Sequence, residues 1–423
     1  DFSRSRGLGD VYKRQSKMST LVLKFGGTSV GTTDLISSAA KIIQKEYEDG
    51  HNVAVVVSAM SGATNSLIEH VNSIGQENEA EYDVVVSSGE QVTAGLMSLA
   101  LNKLGIPARS WLGWQLPILT EGDHKSAMIT KIVPDKIEIE FKKKRVAVLA
   151  GFQGISNDNR ITTIGRGGSD NTAVFLASSL NADRCDIYTD VDGVYTSDPK
   201  VTSKVRKLDK VSYEEMIEMA SQGAKVLQTA SVESAMKHDV NLHVRSTFNP
   251  ADSGTQISRD IEESNERAVT GVAYSKDEAK ITIIDLDDRP GVAAEIFESL
   301  SAKSINVDMI VQNNFIERKM TNLTFTIPMT DLKKSLEVIA ALENQISFTR
   351  VLSEENLSKV SIIGSGMRNQ PGIAAKMFTC LSENKINIEV IATSEIKISV
   401  LIDRSMTEKA VNALHEKFGL DQL

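Results

Sequence analysis

The stretch IGRGGSDNTA (164–173) holds Arg166 and Asp170 close together across a run of glycine and serine. Glycine lets backbone N–H groups approach a bound group with no Cβ in the way. Arginine presents a planar fork of donors that fits a carboxylate or a phosphate. An aspartate beside an anionic ligand is repelled unless a cation or a transferable proton intervenes. The stretch reads as a place where anions, a cation and a reacting group meet; the alternative is a polar turn holding a solvated ion pair. Lys24, in LVLKFGG, ends a strand-like run just before Gly26 and Gly27. A lysine there neutralises phosphate oxygens while the glycine pair brings backbone donors to them, although alone it also fits a solvated strand-end cap. Neither GxxxxGK[ST] nor an opening GxGxxG is present, which disfavours the P-loop and dinucleotide-binding families.

A third segment, TDVDGVYTSDP (189–199), spaces Asp190, Asp192 and Asp198 through a turn-rich run with Tyr195 and Pro199. Carboxylates near a polyphosphate need magnesium or fixed backbone geometry, whereas carboxylates accepting ribose hydroxyls need neither. A calcium loop is the rival, but no bidentate Glu follows at loop spacing. In QGAKVLQTASVESA, Lys225 opens a helical stretch, either as a ligand contact or as an ordinary helix-surface lysine.

These groups need a scaffold to hold them. TLVLKFGG, NVAVVVSAM, ARSWLG, RVAVLAGFQG and RCDIYTDV read as strands, separated by helical runs such as EQVTAGLMSLALNKLG and NTAVFLASSLNA. Val-rich runs without polar alternation, alternating with helices, predict a mostly parallel sheet buried on both faces. The glycine-rich and polar turns all follow strand candidates, at the carboxyl ends where such sheets place their sites. The α/β domain is expected to run to about residue 265. Beyond it, DRPGVAAEIFESLSAKSINVDMI (288–310) aligns without gaps to NQPGIAAKMFTCLSENKINIEVI (369–391). Each copy is flanked by strand-like runs, predicting a duplicated ferredoxin-like βαββαβ unit. Appended to an enzyme, such a pair suits regulation; a plain scaffold is the alternative.

The chain of 423 residues has 41% hydrophobic and 24% charged residues, ordinary values for a globular protein of two or three domains. No uninterrupted apolar run approaches the roughly 20 residues of a membrane span. A net charge of −9 argues against nucleic acid as the main partner. Cys185 and Cys380 lie far apart, and the six histidines form no HxH or HxxxH cluster, so a zinc enzyme is not expected. Residues 1–17, DFSRSRGLGDVYKRQSK, have no apolar h-region and read as a non-native leader before Met18.

KFGGTSVG, SAMSGATN, SSGEQVTAGL, GFQG, TTIGRGGSDNTA, TDVDGVYTSDP and GAKVLQTASVE occur in the order seen in aspartate kinases, of the amino-acid kinase fold. The tandem repeat resembles the paired ACT domains of the same family, so the resemblance covers the chain from Met18 onward. It implies a kinase domain over 18–265, a first ACT domain over 266–350 and a second over 351–423. It also implies transfer of the γ-phosphoryl group of MgATP to the β-carboxylate of L-aspartate, on the route to lysine, threonine, methionine and isoleucine. Lys24 and Asp170 would be catalytic, with the Gly26 and Gly27 amides at the transferring phosphoryl group. Because the attacking carboxylate is already ionised, no base is required, and catalysis would be positioning and charge stabilisation.

By the same match, Arg166 would grip a substrate carboxylate beside Gly167, and Glu90 would pair with the ammonium. Ser58 and Thr64 would add hydroxyl contacts. Thr189, Asp190, Tyr195, Asp198, Pro199 and Lys225 would serve ATP, with no residue assigned to Mg2+. Lysine, threonine or both would bind the repeats at Asp288, Gly291, Asn306, Asp308 and Gln312, and at Ile373, Asn387, Ile388 and Ser394. A carboxylate such as Asp288 can pair with an amino acid's ammonium. A cytoplasmic homodimer or higher oligomer joined through ACT domains is expected, with no nucleic acid or membrane partner. The segment QISRDIEESNERAVTG contains no methionine, which argues against a separately started regulatory subunit. No fused homoserine dehydrogenase is expected.

Overall fold

The runs TLVLKF and NVAVVV place apolar or β-branched side chains at successive positions, which suits strands covered on both faces. Both form, as Thr20–Phe25 and Asn52–Val57, paired in parallel with Thr20 opposite Asn52 and Phe25 opposite Val57. The computed structural model describes residues 19–75, 78–165, 167–222, 226–259, 268–315 and 320–422. They divide into two units, one of residues 19–194, 208–216 and 226–259, the other of 195–207, 217–222 and 268–422.

In the first unit, Thr20–Phe25 lies inside an eight-stranded sheet. Arg184–Thr189, Leu242–Ser246, Thr255–Ser258 and Lys210–Ser212 follow outward on one side; Asn52–Val57, Val146–Ala150 and Ala108–Trp111 follow on the other. Every pairing is parallel except that of Leu242–Ser246 with Thr255–Ser258. Alternate residues of the central strands (Leu21, Leu23, Phe25, Val53, Val55, Val57) pack against helices Thr33–Glu48 and Ser88–Lys103. Helix Gly168–Ser179 packs on the same central strands with its buried Thr172, Ala173, Leu176 and Ala177. Each fully buried Leu, Val or Phe contributes about 1.5–3 kcal/mol. A smaller sheet orders Met128–Ile132, Ile118–Glu121, Gln153–Ile155 and Ile161–Thr163. Glu79–Lys103 has the length and hydropathy of a membrane span, yet 50% of its apolar window is buried in the fold. It is two helices, Glu79–Val86 and Ser88–Lys103, which carry the buried Asp83 and Glu90.

The second unit holds a six-stranded antiparallel sheet in the order Asp308–Phe315, Met320–Pro328, Gly271–Asp287, Arg350–Ile363, Lys397–Asp403, Val390–Thr393. Helices Val292–Ser301 and Leu332–Ala341 fill one core; Ile373–Glu383 and Thr407–Lys417 fill another. Gly291 and Gly372, at matching places in the repeat, both precede their helices with left-handed φ of 96° and 89°, which glycine adopts without strain.

The expected division at 350/351 differs from this packing. Ile281 and Ile283 lie in the first core, but Ala268, Val269 and Val272 lie in the second. The stretch Gly271–Ser275 runs beside Lys359–Ile363, after which the register shifts. The chain after residue 357 supplies three strands to the second repeat, and this upstream segment completes its sheet. Two pieces of the expected kinase segment also pack in this unit. The carbonyl of Thr196 accepts from Val272 N at 2.8 Å, and its hydroxyl meets His415 Nε2 at 2.9 Å. Lys397 pairs with Glu218 at 2.7 Å, and Ser361 donates to Gln222 at 3.3 Å. Strand pattern in a sequence marks a strand but not the core it completes. Val272→Ala should loosen the second repeat by about 2 kcal/mol, speeding amide exchange in Ile373–Glu383 while Val292–Ser301 is unchanged. The reverse pattern would return this strand to the first repeat.

Candidate active site

Lys24 is the fifth residue of its strand, and its side chain is carried to the strand's carboxyl end, where Gly26 and the short 3-10 turn Gly27–Val30 begin. Its ammonium lies 2.5 Å from Asp170 Oδ1, and both residues are more than 90% buried. Asp170 sits in the first turn of helix Gly168–Ser179, where the helix dipole favours a negative charge. Gly167 caps that helix at φ 75°, and a Cβ there would fall 2.5 Å from Gln228 Cγ. Only glycine meets both conditions. Arg166, which precedes Gly167 in the motif, lies outside the described residues.

Across from this pair, Glu90 occupies the first turn of Ser88–Lys103. The helix comes close because Gly89 has no Cβ; one would stand 2.8 Å from Ala59 Cβ. Glu90 Oε1 accepts from Ala59 N at 3.1 Å, and its Oε2 is buried with no hydrogen-bond partner. Burial pushes the Glu90 carboxyl up to about 7, against the opposing pull of the Ala59 amide. A buried acid with one oxygen unanswered is suited to a cationic partner from outside the chain.

These residues line one cavity of about 270 Å³: Lys24, Gly27, Ser58, Thr64, Glu90, Gly167 and Asp170 all face it. Seven of the residues picked out in the sequence therefore converge. The cavity is completed by Ala59, Met60, Ser61, Gly62, Phe152, Gly168 and Ser169, which had not been singled out. Their motifs, SAMSG and GFQG, were the available signal, and Phe152 adds a positive φ of 64° that no composition rule anticipates. Gly26 lies against the same lysine: a Cβ on it would be 3.5 Å from Lys24 Nζ.

Thr189 ends the strand Arg184–Thr189 and Asp190 follows it; neither is among the residues lining this cavity, and the Thr189 hydroxyl donates to Asp190 at 3.1 Å. Tyr195, Asp198 and Pro199 belong to the second unit. There Asp198 accepts from Tyr274 OH at 2.9 Å and from Lys200 N at 2.8 Å, and burial, then Asp198, pushes the Tyr274 phenol up to about 12. Lys225 lies outside the described residues. Of the residues expected to sense effectors, Asp288, Asn306, Gln312, Asn387 and Ser394 are exposed, and Ile373 and Ile388 pack against the second core. Asp308 is paired with Lys359, whose ammonium holds its carboxyl below the usual range in spite of partial burial. Asn387 donates to Glu389 at 2.9 Å.

The raised Glu90 pKa has a defined effect on stability. The folded state holds this proton more tightly than the unfolded chain, so the stabilising contribution is complete below 4.5 and is lost as pH rises through about 7. Glu90→Gln removes the charge, so it should raise the unfolding temperature at pH 8, by the equivalent of at most about 3 kcal/mol. The difference should shrink as pH falls and approach zero below 4.5. A difference that does not depend on pH would rule out burial of this carboxyl as its source.

The amino acid kinase family profile matches residues 19–246, and the ACT domain profile matches 281–341 and 360–418. An aspartate kinase of Stutzerimonas stutzeri is 47% identical over 406 residues, covering 96% of this chain and 98% of its own length. An aspartokinase of Pseudomonas aeruginosa is 48% identical over 407 residues, with the same coverage of 96% and 98%. Among solved structures, E. coli aspartokinase III in complex with aspartate and ADP (R-state) superposes with a TM-score of 0.78 at 26% identity, over 94% of this chain and 99% of that one. The same enzyme with lysine and aspartate (T-state) gives 0.75 at 26%, over 94% and 99%. With a site of this geometry, a duplicated ACT unit and relatives alike over nearly their whole length, the chain belongs to the aspartate kinases, phosphotransferases of the amino acid kinase family.

Proposed function

We propose that the 270 Å³ cavity is where L-aspartate meets the γ-phosphoryl group of ATP. A β-carboxylate oxygen attacks the γ-phosphorus, the bond to the β,γ-bridging oxygen breaks, and ADP leaves 4-phospho-L-aspartate behind. The observation that carries this is the Lys24–Asp170 pair in the same cavity as the half-answered Glu90. Lys24 neutralises charge that builds on the transferring group, assisted by the Gly26 and Gly27 amides. Asp170 keeps the ammonium aimed and is not needed as a base, since the attacking carboxylate is ionised at neutral pH. Glu90 takes the substrate ammonium, Ser58 and Thr64 offer hydroxyls, and Arg166 with Gly167 takes a carboxylate.

Among the described residues there is no cluster of three or more His, Cys, Asp or Glu that could hold a metal. Mg2+ fits as an ion carried in on the triphosphate, the ion's usual route. ATP as donor is supported by the ADP in the E. coli R-state complex. The nucleotide roles of Thr189, Asp190, Tyr195, Asp198, Pro199 and Lys225 rest on their motifs. Lysine, threonine or both act as inhibitors at the repeats, a reading supported by lysine in the E. coli T-state complex. The kinase domain is taken as 18–265 less the two pieces that pack in the second unit, and the working form as a cytoplasmic homodimer joined through ACT domains.

The test is ATP turnover with magnesium and L-aspartate, trapping acyl phosphate as the hydroxamate. Aspartate-dependent hydroxamate is expected, and turnover with glutamate instead would overturn the acceptor. Lys24→Ala should lower kcat by about a thousandfold. In the parent, kcat/KM for aspartate should rise with pH through about 7 as Glu90 ionises; in Glu90→Gln that limb should flatten at a lower value. Lysine and threonine, added singly and together, should reduce turnover, and Asp308→Asn should weaken that response without changing the uninhibited rate.

A further inference from the structure

Asp83 is fully buried, in the helix Glu79–Val86, and it plays no part in the chemistry above. Three donors from two other segments converge on it. Thr163 Oγ1 donates at 2.5 Å, His124 Nδ1 lies at 2.6 Å, and Lys125 N donates to both oxygens at 3.2 and 3.3 Å. Thr163 ends the strand Ile161–Thr163, four residues in sequence before Gly167, the cap of the helix that carries Asp170. Asp83 itself stands one short helix before Ser88–Lys103, the carrier of Glu90. One carboxylate therefore joins the two walls of the aspartate cavity.

The loop that brings His124 is held along the end of the same strand. Ala127 N donates to the Thr163 carbonyl at 3.1 Å, and Ala127 bridges Ile164 in parallel. Lys125 adopts a left-handed φ of 66° to aim its amide at Asp83. Its side chain crosses back over Glu79–Val86, with the ammonium 4.8 Å from the Tyr82 ring centroid and 3.2 Å from Glu79. A left-handed lysine and a carboxylate with three convergent donors are what a rigid spacer needs. We propose that Asp83 and His124 are positioning residues that fix the distance between the Glu90 helix and the start of the helix that carries Asp170, and so govern how tightly the acceptor aspartate is held.

This rests on the roles proposed for Glu90 and Asp170, so the kinetics of Glu90→Gln are measured alongside. His124 is partly exposed, so His124→Phe should fold, and Thr163→Val keeps shape while removing one donor. For each, KM for aspartate should rise about tenfold, as loss of one charge-assisted hydrogen bond would give, while KM for ATP stays within about twofold. His124→Asn, whose amide nitrogen reaches the Nδ1 position, should recover most of the affinity. Equal changes in both KM values, or an unchanged KM for aspartate, would overturn the inference. If Glu90→Gln itself leaves KM for aspartate unmoved, the assignment of the cavity fails first. If Glu90→Gln raises it and His124→Phe does not, only the positioning role is lost.

Discussion

The ammonium of a buried lysine such as Lys24 is unstable unless an opposite charge meets it, and the first unit is arranged around that requirement. Asp170 answers Lys24 at 2.5 Å only because a parallel strand and the start of a helix deliver the two residues to the same edge of the sheet. Parallel pairing aligns the carboxyl ends of Thr20–Phe25, Asn52–Val57 and Val146–Ala150, so the loops leaving them gather in one place. Small residues then let these loops touch. Gly89 brings the Glu90 helix against Ala59, and Gly167 turns the chain into the helix that carries Asp170. Truncating either charge of the pair leaves the other buried and unanswered, a more severe change than the loss of a surface ion pair.

Much of this site was legible in the sequence because its members sit at strand ends, where a parallel sheet must collect them. Lys24, Gly27, Ser58, Thr64, Glu90, Gly167 and Asp170 meet in one cavity on that logic together with the family motifs. Asp83 and His124 were not legible. An aspartate in EYDVVVSS looks like a helix-surface acid, and nothing local shows that Thr163 and His124 converge on it from 80 and 41 residues away. The same limit hid the pairing of Gly271–Ser275 with the second repeat. Alternation marks which side of a strand is apolar, whereas the choice of neighbour depends on cores assembled from distant segments.

The two repeats are also tied by charges that mirror one another. Lys280 in KITII and Lys359 in KVSII hold matching places in the strands that precede the duplicated segments. Lys359 pairs with Asp308 of the first repeat, and Lys280 pairs with Glu389 of the second at 3.2 Å and with Glu354 at 2.9 Å. Asp308 and Glu389 are themselves equivalent in the repeat alignment. Each lysine thus answers an acid of the other copy. Both ammonium groups are largely buried, so these pairs are screened less by salt than surface pairs are.

The strand Gly271–Asp287 gives the duplication a different inheritance from the one its linear order suggests. Its first residues complete the later repeat and its last residues belong to the earlier one, so the earlier repeat is an insertion within the later. A genetic crossover at residue 350 would not exchange a whole module. It would join one parent's closing strand to another parent's helices, and the two would have to agree at Val272, Val360, Ile362 and Val400 before either could fold. The inserted stretch between about residues 276 and 357 is the smaller unit of exchange, provided that the ion pairs Lys280–Glu389 and Asp308–Lys359 across its borders are kept, while the outer repeat is whole only together with the chain that enters it.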